Sequence, residues 1–236
     1  IAGAHTNIVR KERNGAVLFD AAVDDAEQES EAPGCLNTED IVAFADTVEI
    51  SRVEQPLRRQ LALNLAVARR GLTGGCGANI GRVLLGSGEN DLVTRARAWA
   101  AAGSDARMSG VELPVVIVSG SGNQGITASV PVAIWAEEKG YSEERLLRAL
   151  IVSDLVTIHQ KTGIGRLSAF CGAVCAGCGA GAGIGYLEGG GYDAVAHTLV
   201  NALAIISGMV CDGAKASCAA KIATAVEAGI LGYRMY

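Results

Sequence analysis

The chemistry of this sequence is concentrated in its thiols. It holds seven cysteines, five of them between positions 171 and 218. Cys171, Cys175 and Cys178 stand at i, i+4 and i+7, an arc of roughly 60° on a helix. Cys211 and Cys218 repeat the seven-residue spacing. Cysteines gathered on one face can ligate zinc or an iron–sulfur cluster. In an Ala/Gly-rich helix they also pack as small hydrophobes, the reading that suits Cys175 and Cys178. Disulfide frameworks belong to shorter, secreted chains, so the thiols are read as reduced and the chain as cytoplasmic.

A second motif is Ser119-Gly120-Ser121-Gly122-Asn123-Gln124-Gly125, between an apolar run and a helix. Its glycines and short polar side chains put N–H groups and hydroxyls at a helix N-terminus, a setting that suits a carboxylate or phosphate. It lacks the lysine of a P-loop and the spacing of a dinucleotide fingerprint. A cradle for a substrate carboxylate is preferred over a plain turn. Lys161 and Arg166 are the last cations before a long uncharged stretch; they could meet an anion or simply close a helix. Lys215 follows Cys211-Asp212, and Asp212 can pair with it three residues on. His5, in Ala4-His5-Thr6-Asn7, could bind substrate, act as a base or be structural. His159 and His197 fall in helical patterns and carry no assigned role. Cys-x3-Cys-x2-Cys also matches the cluster motif of radical enzymes that use S-adenosylmethionine. That reading is rejected, because the motif lies in helical sequence with too little chain after it for a βα barrel.

These residues need a scaffold, and the composition supplies one. Half of the 236 residues are hydrophobic but only 4% are aromatic, and 31 are Gly. Such a core is filled by small and aliphatic side chains, and backbones can approach closely. A net charge of −5 gives no footprint for nucleic acid, and no Lys/Arg run suggests a membrane surface. The uncharged stretches 113–136, 167–187 and 194–211 read as buried helices and loops rather than membrane spans. Residues 4–10 and 15–20 read as a β-hairpin around Asn14-Gly15, and 21–37 as a loop. Helical periodicity follows: 41–48 behind a Thr38 N-cap, 57–68 closed by Gly71, 92–102, a helix from Ser142 through Ile158, 195–206, and a last helix from near Lys215 toward Ala228. Val115–Val118 reads as a short buried strand. Gly-Cys-Gly-Ala at 75–78 and again at 177–180 is weak evidence of duplication. The expected fold is mainly α with a small β portion (α+β). Residues 1–37 form a hairpin and loop belonging to a domain cut at its N-terminus, and 38–236 a helical, bundle-like region.

Four segments occur in a telling order: His5-Thr6-Asn7-Ile8-Val9, the loop 119–125, Gly165-Arg166-Leu167-Ser168-Ala169-Phe170-Cys171-Gly172, and Cys211-Asp212-Gly213-Ala214-Lys215. Over nearly its whole length the chain resembles the L-cysteine desulfidase family, related to the α chain of iron–sulfur L-serine dehydratases. The resemblance implies a [4Fe–4S] cluster held by three cysteines with one iron open. It implies elimination across Cα–Cβ of a small amino acid without pyridoxal phosphate: L-cysteine to pyruvate, ammonia and sulfide, or L-serine to pyruvate and ammonia. By motif, two ligands are Cys171 and Cys211. The third belongs to an N-terminal Cys-Thr-Glu-Pro segment that this chain lacks; Cys35, in Gly-Cys-Leu-Asn, does not match it. It is expected from an N-terminal part of the same protein or a second chain. Substrate contacts are expected from His5, Thr6, Asn7, Ser119, Ser121, Gly122, Asn123 and Gln124, and the catalytic base from Lys161 or Lys215. A homodimer is left open; nucleic acid and membrane are not expected partners. The competing expectation is a non-catalytic domain that binds a small anion or serves assembly, with structural thiols or zinc.

Overall fold

The computed structural model describes residues 8–21, 36–88, 90–165 and 168–236. His5, Thr6, Asn7, Cys35 and Arg166 lie outside the described residues. Strands β1 (Arg10–Arg13) and β2 (Ala16–Asp20) pair antiparallel. Their turn is the expected one: Asn14 and Gly15 take φ of 53° and 82°, the left-handed pair that matches strand twist. The hairpin is solvent-exposed on both faces and packs against none of the described helices.

The rest is helical: α1 (Thr38–Thr47), α2 (Glu54–Leu72), α3 (Ile80–Gly86), α4 (Leu92–Met108), α5 (Gly122–Lys139), α6 (Glu143–Ile164), α7 (Gly172–Leu187), α8 (Tyr192–Ile205) and α9 (Ser217–Arg234). The fold is thus mainly α with a small β portion. The N-cap of α1 is Asn37 rather than Thr38, because the Asn37 amide oxygen accepts from Asp40 N–H at 2.8 Å. Ser142 caps α6 as its sequence position requires. The last helix starts at Ser217, and α3 is too short to have declared itself by periodicity. The two Gly-Cys-Gly-Ala peptides differ in conformation: the first forms a turn with Gly75 and Gly77 at positive φ, the second lies inside α7.

At the centre is α7, whose residues other than Tyr186 are small or aliphatic and almost all buried. It packs on α5, α6, α8 and α9. Against α9 the contact is backbone on backbone. A Cβ at Gly181 would lie 2.3 Å from the Gly229 carbonyl oxygen, and one at Gly229 2.1 Å from that of Gly177. Against α6, Gly179 abuts Thr157 and Gly183 abuts Ala149 and Ser153. Cys175 and Cys178 are buried filler in this helix, and burial pushes their thiols up to about 11 and about 12.

Residues 115–118 are extended but pair with no strand. Their ladder partner is a side chain. Buried Asn64 accepts from Val116 N–H at 2.9 Å, donates to the Val116 carbonyl at 3.2 Å, and also donates to Ser129 Oγ at 3.1 Å. On the same face of α2, Gln60 donates to Asp154 of α6 at 2.9 Å. Loss of water pushes the Asp154 carboxyl up to about 7, against the partial relief that Gln60 gives.

Gly181→Ala should lower the unfolding free energy by about 2–3 kcal/mol in a urea titration, since backbone rather than a flexible side chain must yield. Asp154 keeps its proton in the native state at pH values where the unfolded chain has lost it. Its contribution is therefore favourable below about pH 4 and is lost as pH rises toward 7. Asp154→Asn should flatten that decline, leaving the variant more stable than wild type at pH 8 by roughly 2–4 kcal/mol relative to their difference at pH 4.

Candidate functional site

The two cysteine segments meet. Phe170 and Val210 form an isolated antiparallel bridge. Cys171 N–H donates to the Met209 carbonyl at 3.0 Å and Cys211 N–H to the Ala169 carbonyl at 2.7 Å. Side chains alternate across paired strands. Phe170 and Val210, 57% and 56% exposed, therefore share the outer face. Cys171 and Cys211 share the opposite one as diagonal neighbours, a relation that places Cα atoms roughly 7–8 Å apart. Cys171 is also the N-cap of α7, buried, while Cys211 is exposed. The Cys171 thiol is pushed above its ordinary value by burial first. The Ala173 N–H and Lys221 pull it down, and Cys211 and Cys218 add to the rise.

That last relation exposes a residue the motifs missed. Lys221, about one turn into α9, donates to the Val210 carbonyl at 2.9 Å and pairs closely with the Asp212 carboxylate. It brackets Cys211 on both sides along the chain and puts a positive charge beside both thiols. Asp212 holds Lys221 above its usual value. Asp212 itself is held well below the carboxylate range, first by Lys221 and also by Ser217 and Lys215. Lys215, proposed from sequence as a base, thus pairs with Asp212 at 3.4 Å. Lys161 sits in the last turn of α6, donates to the Gly165 carbonyl, and favours the charged form of Cys175.

The polar loop reaches the same place. Val118 and Ser121 exchange N–H···O bonds of 3.2 and 3.1 Å across a turn whose central residues, Ser119 and Gly120, have φ of 49° and 81°. Ser119 is a non-glycine residue in the left-handed region, a conformation worth about 1–3 kcal/mol of strain. The turn delivers Ser121 to the N-cap of α5, where its side chain makes no capping bond. Gly125 is required there, since a Cβ would lie 2.0 Å from the Val116 carbonyl oxygen. From the first turn of α5 the buried Gln124 side chain lies against Gly172: a Cβ on Gly172 would sit 2.4 Å from Gln124 Nε2. Loop, Cys171 and Cys211 therefore form one locality. Three side-chain oxygens of the loop, Ser119 Oγ, Asn123 Oδ1 and Gln124 Oε1, are buried without a hydrogen-bond partner, and so is Gln160 Oε1 on α6.

Two adjacent thiols with a lysine beside them suit an anionic metal–sulfur group. Among the described residues no three His, Cys, Asp or Glu side chains gather into a group able to hold a metal ion. The described chain thus offers a pair of thiols that a cluster could use, and no third ligand beside them. Among the described residues no helix is long and apolar enough to cross a membrane. In the folded apo protein, iodoacetamide at pH 8 should modify Cys211 and Cys218 well before Cys175 and Cys178, whose raised thiols stay protonated. Peptide mass spectrometry checks the order, and unfolding should abolish it.

The sequence pattern of the serine dehydratase alpha chain matches residues 11–236. A UPF0597 protein of Desulfitobacterium hafniense (strain Y51) is 60% identical over all of this chain and 55% of its own length. One from Treponema denticola is 44% identical over 98% of this chain and 55% of its own. One from Bacteroides thetaiotaomicron is 40% identical over 100% of this chain and 56% of its own. The chain spans about half the length of these curated relatives. No solved structure matches it. With the match running from the hairpin to the last residue, the chain belongs to the serine dehydratase alpha chain family.

Proposed function

We propose that this chain is the cluster-bearing part of an amino-acid lyase that eliminates sulfide from L-cysteine, or water from L-serine. The observation that carries this reading is that the Phe170–Val210 bridge brings the Cys171 and Cys211 segments together, beside a loop with unpartnered polar atoms. The family points to dehydratase or lyase chemistry. The finer choice of substrate and the [4Fe–4S] cofactor are part of the proposal. Cys171 and Cys211 would hold the cluster, with a third ligand from the N-terminal part of the same protein or from a second chain. When bound, the cluster supplies an open iron, a Lewis acid toward the carboxylate and the leaving atom.

The chain's own residues do the rest. The N–H groups at the uncapped start of α5, with Ser119 and Ser121, hold the substrate carboxylate. His5, Thr6 and Asn7 are proposed to complete the substrate contacts. Lys161 or Lys215 is the base that takes the Cα proton; the Cβ–S or Cβ–O bond breaks as the Cα–Cβ double bond forms, and the heteroatom leaves with the bonding pair as hydrosulfide or hydroxide. The Asp212 carboxylate already holds Lys215 near Cys211, and Lys221 keeps the Cys211 segment against α9. The packed helices α5, α6 and α7 exclude water beneath the site.

Anaerobic reconstitution of the full-length protein with iron and sulfide should give cluster absorbance and pyruvate from L-cysteine or L-serine. Cys171→Ser and Cys211→Ser should each lose both signals, and Cys175→Ser should retain the absorbance. Folded wild-type protein showing neither absorbance nor pyruvate would overturn the reading.

A further inference from the structure

Apart from the Ser119 hydroxyl, the unpartnered atoms around the site are amide oxygens, and their character differs from that of the α5 amides. Gln124 is 6% exposed and its Oε1 has no donor; Gln160 Oε1 likewise has none. Both are acceptors. An enclosed acceptor without a donor is costly to leave so, and it states what is missing: an N–H or O–H group.

The helices bring both glutamines to the start of α7. Helices α5 and α6 are joined by three residues, run antiparallel, and are pinned where Ser153 Oγ donates to the Ala128 carbonyl at 2.7 Å. Counted from that contact, Gln124 lies about one turn back along α5 and Gln160 about two turns on along α6. Both glutamines touch the start of α7. Gln124 lies against Gly172, and Gln160 Nε2 donates to the Cys175 carbonyl at 3.3 Å. Gly172 is the adjustable element. Without a Cβ it leaves the Gln124 amide room to turn outward and present its oxygen, where alanine would block that path.

We infer that Gln124 and Gln160, flanking the first turn of α7, are the acceptors for the α-ammonium group of the substrate, with Asn123 Oδ1 as a third acceptor. The inference rests on the lyase reading and deepens it. The uncapped amides of α5 read the carboxylate and the glutamine oxygens read the amine, so the site selects a zwitterion over a simple carboxylic acid. Gln160 enters the site by this argument alone; no motif marks it.

The test uses two unreactive probes on the reconstituted full-length protein: L-alanine, which has both groups, and propionate, which lacks the amine. Calorimetry should find L-alanine bound at least about tenfold more tightly than propionate. Gln124→Leu and Gln160→Leu should each erase most of that preference while leaving propionate affinity within about twofold. Gln124→Glu and Gln160→Glu keep an acceptor oxygen and should keep the preference; thermal melts confirm that all four variants fold. Equal binding of the two probes by wild type overturns the inference, as does an unchanged preference in both Leu variants. Loss of propionate binding in the Leu variants also overturns it, since that would mean the amide nitrogens hold the carboxylate. Selective L-alanine binding without any elimination activity would sink the lyase reading and leave this inference standing. Elimination with unselective binding would do the reverse.

Discussion

Everything in this molecule hangs on the closeness of α7 and α9. Their backbones approach to a distance that only glycine allows, with Gly177 and Gly181 on one helix meeting Ala225 and Gly229 on the other. Side chains do not set this spacing; main-chain atoms do. Because the contact is so short, α7 can be covered on its remaining sides by α5, α6 and α8 without leaving a void. A buried helix of small residues becomes the axis on which the other helices are hung, and its N-terminus becomes a fixed point.

The site is assembled around that fixed point. Cys171 caps α7 and Gly172 begins it; the strand carrying Cys211 is hydrogen-bonded to the residues just before it. Lys221 rises from α9 to grip that strand, so the α7–α9 contact also sets the distance between the lysine and the two thiols. The polar loop arrives independently, through Asn64 and the Val118–Ser121 turn, and meets α7 where Gln124 touches Gly172. The cation, the thiols and the polar loop come from four separated stretches of chain. None is placed by its immediate neighbours alone.

Local signals explain what could be read from sequence. Asn14-Gly15 dictates a turn by its φ preferences, and Ser142 followed by two glutamates dictates a helix start. Of the charge-free stretches, the part that forms α7 is buried as expected, whereas 194–211 leaves Val200, Leu203, Ile205 and Val210 exposed. The apolar run 115–118 misled twice: Ile117 is 57% exposed, and the hydrogen-bond partner of Val116 is not a strand but an asparagine side chain 52 residues away. Lys221 was invisible for a related reason: its partners are a carbonyl and Asp212, reached only after α9 has docked. Cys171 and Cys211 were picked by motif, whereas their adjacency follows from a bridge of one residue pair, too short to leave a periodic trace.

The composition of α7 has an entropic side. Six of its sixteen residues are glycine, which in isolation disfavours the helix by roughly 5 kcal/mol relative to alanine. The unfolded segment is correspondingly free, and its small side chains surrender almost no rotamer entropy when it orders. Such a helix has little reason to form before its neighbours are in place. The residues at its start, Cys171 among them, therefore acquire their positions as a late product of the whole bundle's collapse, and the site's order is a direct gauge of whether the rest of the domain has folded.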